Sequence, residues 1–212
     1  MISDSRSAIL SRIRAANKLA ATAEREREYG AVARDYRIQG SLNDADRLHL
    51  FDERIRHYNG TPFYSTGDIK SDIAAILARR SKHTLVIPAE FPSDWLPEEC
   101  HFIRDENLTK QQLDGVDGVL TTCTLAIALT GTIVVESSSA QGRRAATLIP
   151  DYHLCVVRQS DIVELVPEAI RRLERIKHRP LTFISGPSAT VDIEMTRVRG
   201  VHGPRTLDIL LI

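Results

Sequence analysis

GVLTTCTLAIALTGTIVVE, residues 118–136, holds three apolar segments within nineteen positions. The first, 118–122, reads as a short buried strand, and the last, 132–136, as another. The middle segment, 124–129, reads as a small helix between them. The same texture recurs along the chain. Short apolar runs lie at 61–64, 84–88, 102–103, 154–157, 181–184 and 207–211. Between them, Ile69, Ile73, Ile76 and Leu77 share one helical face. Val163, Val166, Ile170, Leu173 and Ile176 share another, with Ser160 as its cap. Continuous apolar runs alternating with helices imply parallel strands covered on both faces. Their crossovers are right-handed. The expected fold is α/β, with three layers and an open, mostly parallel sheet over residues 61–212.

The chain before residue 61 differs. Ile9, Leu10, Ile13, Ala16, Leu19 and Ala20 recur at helical spacing among Arg, Lys and Glu over 5–28. Residues 29–42 are polar and irregular and include Arg34-Asp35-Tyr36-Arg37, read as a loop that is either solvated or folded over a site or partner. Asn43 or Asp44 caps a second helix whose stripe is Leu48, Phe51, Ile55 and Tyr58, and Asn59-Gly60 ends it. Residues 1–60 are therefore expected to form an N-terminal helical extension.

Bulk composition narrows the function classes. The 212 residues are 42% hydrophobic and 26% charged, enough for one sizeable core. Lys plus Arg equals Asp plus Glu at 28 each, so no basic field exists to draw in nucleic acid. No apolar run approaches the ~18 residues of a membrane span. The first six residues lack the apolar core of a secretory signal. Cys100, Cys123 and Cys155 are scattered and odd in number, which fits a reducing cytoplasm. No Cys-x-x-Cys occurs, and no His stands at metal-binding spacing from another His or Cys. No cofactor, cluster or structural zinc is expected.

Candidate chemistry gathers at polar, Gly-containing loops after strands, where α/β sheets bind ligands. In Gly186-Pro187-Ser188-Ala189-Thr190, Ser188 or Thr190 caps a short helix bearing Asp192 and Glu194. Its free N–H groups either hold a phosphate or carboxylate or are simply capped, with the acids complementing the helix dipole. His202, between Gly200-Val201 and Gly203-Pro204, either exchanges protons in a cleft or hydrogen-bonds within a tight turn. Glu136 is a candidate nucleophile or base, or else the partner of an arginine such as Arg143. Arg143-Arg144 either clamps an anion or is a surface pair. Cys123 has no identifiable His partner.

Four ordered motifs carry a resemblance. They are Gly131-Thr132-Ile133-Val134-Val135, Leu148-Ile149-Pro150-Asp151-Tyr152-His153, Gly186–Glu194 as a nine-residue block, and Gly200-Val201-His202-Gly203-Pro204. Together they resemble the LUD-domain family that includes lactate utilisation protein C, most closely from 118 to 212. The loop at 136–142 departs from the pattern by being serine-rich, although Arg143 falls where the pattern places it. The resemblance implies a fold similar to the ribose-phosphate isomerase, glucosamine-phosphate deaminase and CoA-transferase group. It also implies a role in bacterial L-lactate oxidation to pyruvate, as a subunit without its own redox centre whose partners are iron–sulfur proteins. The alternative is a stand-alone enzyme of that fold group binding a phosphorylated or CoA-type ligand, with Glu136 or His202 in catalysis. Either way, one cleft is expected. The strands at 181–184 and about 206 would run side by side and antiparallel. Gly186-Pro187-Ser188 and His202-Gly203 would face each other over a small anion, with Arg143 at the rim.

Overall fold

The structure, a computed structural model, describes residues 2–16, 22–191, 197–199 and 203–212. Two compact units divide the chain, Met1–Tyr36 and Arg37–Ile212. The first contains helices α1 (Ile2–Ala16) and α2 (Thr22–Ala31). The expected apolar positions Leu19 and Ala20 lie outside the described residues, and Ile9 and Ile13 of α1 are exposed. Within this unit Arg34 donates to the carbonyls of Val32 and Tyr29 and lies 4.7 Å over the Tyr29 ring.

In the second unit the elements run α3 (Asp44–His57), β1 (Thr61–Tyr64), α4 (Ile69–Arg80), β2 (Thr84–Ile87), β3 (His101–Arg104), α5 (Lys110–Asp114), β4 (Gly118–Thr122), β5 (Leu125–Ile127) and β6 (Thr132–Glu136). They continue through β7 (Tyr152–Val157), β8 (Ile162–Val163), α6 (Val166–Leu173), β9 (Leu181–Ile184), β10 (Ala189–Val191), β11 (Arg197–Arg199) and β12 (Thr206–Leu211). Six strands form one parallel sheet in the order β1-β12-β7-β4-β2-β3. A second sheet, β8-β5-β6-β9, is mixed, and β10 and β11 form an antiparallel pair.

Period-two alternation along β7 and β12 builds both cores. Cys155, Val157, Leu207, Ile209 and Leu211 point to one face. There they pack with Phe51 and Ile55 of α3 and with Ala126, Ile133 and Val135 of the second sheet. Tyr152, Leu154, Val156 and Leu210 point to the other face and meet Ile73, Ile76 and Leu77 of α4. The three layers are therefore α4, the parallel sheet, and the second sheet with α3.

Two local expectations change. The middle segment at 124–129 is not helical. Leu125 and Ile127 enter one cluster, and Ala126 and Ala128 enter another, so large and small residues alternate as a strand requires. Ser160 does not cap the next helix. Val163 pairs with Ile127 in β8, and α6 starts after Leu165, whose N–H donates to Glu168 Oε2 at 2.8 Å. Pro167 suits this first turn because its missing N–H is not needed there.

At the front of the chain, the second compact unit begins at Arg37, ahead of α3. The reason is that α3, capped as expected by Asn43 accepting the Asp46 N–H, buries Phe51 and Ile55 completely. Residues 37–42 are held in turn by two acids. Glu164, nearly buried, accepts the N–H groups of Ser41 at 2.6 Å and Leu42 at 2.8 Å and pairs with Arg37. Glu168 accepts the Gly40 N–H. Burial acts to raise the Glu168 pKa, but the N–H donors of Gly40, Leu165 and Glu164 outweigh it and hold the carboxyl below its usual range.

A polar knot sits in the α4-side core. Asp208 on β12 is fully buried and accepts two hydrogen bonds from Arg80, at 2.7 and 2.6 Å, and one from the Tyr152 hydroxyl at 2.9 Å. Arg80 also reaches Thr61 of β1, so the knot ties α4, β1, β7 and β12. Burial, followed by the nearby Asp208 charge, pushes the Tyr152 phenol far above its ordinary pKa. Removing the cation strands a buried carboxylate. Arg80→Met is expected to lower unfolding stability by about 3 kcal/mol, at the low end of that class because Arg80 is partly exposed. Denaturant titration against wild type measures this, and a loss below about 1 kcal/mol would show that the knot is not a stability element.

Candidate functional site: a cavity between the sheets

The polar end of the inter-sheet core is a cavity of about 240 Å³. His153, the second residue of β7, lies in register with Leu207, the second residue of β12. Both belong to the face that Cys155 and Ile209 continue inward. The opposite wall is the end of β9 and the loop after it, from Phe183 to Ala189. Arg144 and Thr147, from the segment before β7, and Gly203 and Pro204, before β12, complete the lining. The cavity thus follows the carboxyl end of β9, as expected. In the main parallel sheet, however, it opens at the amino ends of β7 and β12.

Two of the expected motifs meet here by a route other than the expected one. β9 pairs with β6, and β12 pairs with β1 and β7, so the strands at 181–184 and 206–211 are not neighbours. The contact is made by loops. The Ser188 N–H donates to the Pro204 carbonyl at 2.8 Å. A Cβ at Gly203 would stand 3.3 Å from the Ser188 Cβ. The short helix expected after Ser188 is replaced by β10, where Thr190 pairs with Val198. The Ser188 N–H is therefore committed to protein. Asp192, Glu194 and His202 lie outside the described residues.

Gly186 has φ +86°, and a Cβ there would lie 2.5 Å from the Tyr58 carbonyl oxygen. Pro187 follows it along the cavity wall. Gly186→Ala combines an unfavourable backbone with a collision against backbone. It is expected to cost more than about 2 kcal/mol, read as a fall in Tm of several degrees. An unchanged Tm would show that this turn relaxes freely.

The arginine at the site is not the expected one. Arg143 makes a two-pronged contact with buried Asp105, at 2.8 and 2.9 Å, and also donates to the Leu108 carbonyl. Its hydrogen bond to Asp105 raises the guanidinium pKa. Arg143 fastens the loop after β3 and does not line the cavity. Its neighbour Arg144 does, with Nη1 3.3 Å from Thr147 Oγ1. No carboxylate among the described residues lies within ion-pair distance of Arg144. Glu136 is also elsewhere. Its Oε1 accepts from Arg179 Nη1 at 3.0 Å, so the ion-pair reading holds with Arg179 in place of Arg143.

His153, which no candidate reading singled out, is the buried polar group of the cavity. Its Nε2 lies 2.8 Å from Thr121 Oγ1 of β4. Its Nδ1 has no hydrogen-bond partner among the described residues, and the residue lines the cavity. Burial first, then the Arg144 charge, lowers its pKa to about 4. The ring is neutral at pH 7 and presents a hydrogen-bonding nitrogen rather than a charge. Cys123 is no nucleophile, because the Cys155 contact and burial raise its thiol pKa well above 9. Among the described residues no group of three His, Cys, Asp or Glu is placed to hold a metal.

The lowered His153 pKa has a signed consequence. Between pH 6.5 and about 4 the unfolded chain binds a proton that the folded chain refuses. This contribution to stability is intact above pH 6.5 and is lost as pH falls to 4, by on the order of 3 kcal/mol. His153→Gln removes it, so melts at pH 7 and 4.5 should differ less for the variant than for wild type. Equal differences would contradict a buried neutral imidazole.

Comparisons with known proteins bear on this arrangement. A family model for the LUD domain matches residues 66–212. The chain belongs to the LUD-domain family. Lactate utilization protein C of Deinococcus radiodurans is 41% identical over 181 residues, 84% of each chain. The protein of the same name from Bacillus subtilis is 27% identical over 187 residues, 83% of this chain and 74% of that one. A crystal structure of a DUF162 family protein from Deinococcus radiodurans superposes with a TM-score of 0.68 at 37% identity, covering 81% of this chain and 99% of the other. The LUD domain begins after β1, so its matched region contains every residue that lines the cavity.

Proposed function

We propose that this LUD-domain protein is a subunit of a bacterial system that oxidises L-lactate to pyruvate. The observation that carries the reading is the 41% identity, over 84% of both chains, to a protein named lactate utilization protein C. Oxidation of lactate to pyruvate releases two electrons and two protons, which a redox centre must accept. Thiolate-bound clusters use four cysteines, whereas this chain has three, with Cys123 and Cys155 buried. The electrons accordingly pass to iron–sulfur proteins acting with this subunit in the cytoplasm. The subunit itself contributes a site for a small anionic ligand, formed where Gly186-Pro187-Ser188 meets Gly203.

Deleting the gene is expected to abolish growth on L-lactate as sole carbon source, with recovery on re-expression. The purified chain alone is expected not to reduce a dye with L-lactate. Normal growth of a deletion strain that has no other lactate dehydrogenase would overturn the reading, as would rapid lactate-dependent dye reduction by the isolated chain.

A further inference from the structure

We infer that the inter-sheet cavity binds a small monocarboxylate with a short apolar tail, its carboxylate on Arg144 and its adjacent oxygen on His153. The choice of a lactate-like acid rests on the lactate-utilisation reading. The sign of the charge and the size of the ligand rest on the cavity itself.

Charge comes first. Among the described residues of the lining, Arg144 is the only charged side chain, and no described carboxylate neutralises it. His153, the other titratable lining group, is held neutral. The described lining is therefore positive at pH 7. A planar guanidinium suits a carboxylate, which it can grip with two parallel hydrogen bonds.

The donor set then separates carboxylate from phosphate. Phosphate sites in α/β folds draw on runs of free backbone N–H groups at a helix start. Here the chain after Gly186 continues into a strand, and the Ser188 N–H is committed to Pro204. One guanidinium and a neutral imidazole match a monoanion better than a dianion.

Size and polarity select the tail. About 240 Å³ holds an acid of a few carbons. Leu207 and Phe183 give the wall an apolar part. His153 Nδ1, which has no hydrogen-bond partner among the described residues, is a hydrogen-bonding partner for an oxygen next to the carboxylate. Thr121 fixes the ring from behind through Nε2, so the imidazole is a rigid contact.

Calorimetric titration of the purified full chain with L-lactate, pyruvate and inorganic phosphate tests this, beside thermal melts of each variant without ligand. L-lactate or pyruvate should bind, and phosphate at equal concentration should not displace it. Arg144→Gln should weaken binding at least tenfold with Tm nearly unchanged, since Arg144 is exposed and carries no ion pair among the described residues. His153→Gln, which keeps a hydrogen-bonding head, should bind better than His153→Leu. The inference is overturned if neither acid binds to folded protein at millimolar concentration. It is equally overturned if phosphate competes with the acid, or if Arg144→Gln binds as tightly as wild type. Failure here is separable from failure of the lactate reading. Lost growth of the deletion strain without binding refutes only the cavity's role, and binding with normal growth refutes only the pathway.

Discussion

The packing of two sheets against each other, through one face of β7 and β12, is the contact on which the rest of the molecule depends. Cys155, Val157, Leu207, Ile209 and Leu211 supply one side of it, and residues of β5 and β6 supply the other. Each large aliphatic side chain buried there stabilises the fold by roughly 1.5–3 kcal/mol. α3 closes the same core with Phe51 and Ile55, and for that reason the compact unit begins at Arg37. The cavity is where this apolar interface stops. One step toward the amino end of β7, the inward position holds a histidine instead of an aliphatic residue, and the sheets part around it.

Buried polar groups elsewhere fasten the elements that this interface leaves free. Asp208 belongs to the alternate set of β12 positions and so faces α4, where Arg80 and Tyr152 satisfy it. Glu164 and Glu168 spend their oxygens on backbone N–H groups of 40–42, a segment with no strand to pair with. Asp105 takes Arg143. Asp208, Glu164 and Asp105, whose carboxylates have little or no exposure, each accept several hydrogen bonds, which is the condition for burying them at all. Arg144 contrasts with these cations. It stands beside a cavity and has no acid partner among the described residues.

Much of this architecture could be read from the chain. The apolar runs at 84–87, 132–136, 181–184 and 206–211 are strands, the stripe through Ile73, Ile76 and Leu77 is a helix, and Asn43 does cap α3. The turns at Gly186-Pro187 and Gly203-Pro204 are legible because glycine and proline mark turns by their own backbone limits, whereas their meeting rests on loop contacts and not on the antiparallel strand pair that the sequence suggests. The segment LAIA at 125–128 was misread because a short apolar run fits either periodicity. The distinguishing signal was present in its alternation of large and small residues. Val163 was placed on a helical face because one β-bridge position can satisfy a 3.6-residue pattern by coincidence.

What the sequence determined by itself is local: where segments bury themselves, where they turn, and that acidic and basic side chains balance. Tertiary structure alone decided which strands are partners. β9 lies on β6 and β12 on β7, although β9 and β12 are nearer in the chain, because register follows the faces that must be covered and not sequence separation. Tertiary structure also chose between two adjacent arginines. Arg143 and Arg144 are chemically identical, and only the position of Asp105, thirty-eight residues away, makes the first a fastener and leaves the second at the cavity. His153 was invisible for the same reason. Its imidazole is neutral because burial, and then the Arg144 charge, lower its pKa, and its ring is fixed by Thr121, thirty-two residues away in the chain.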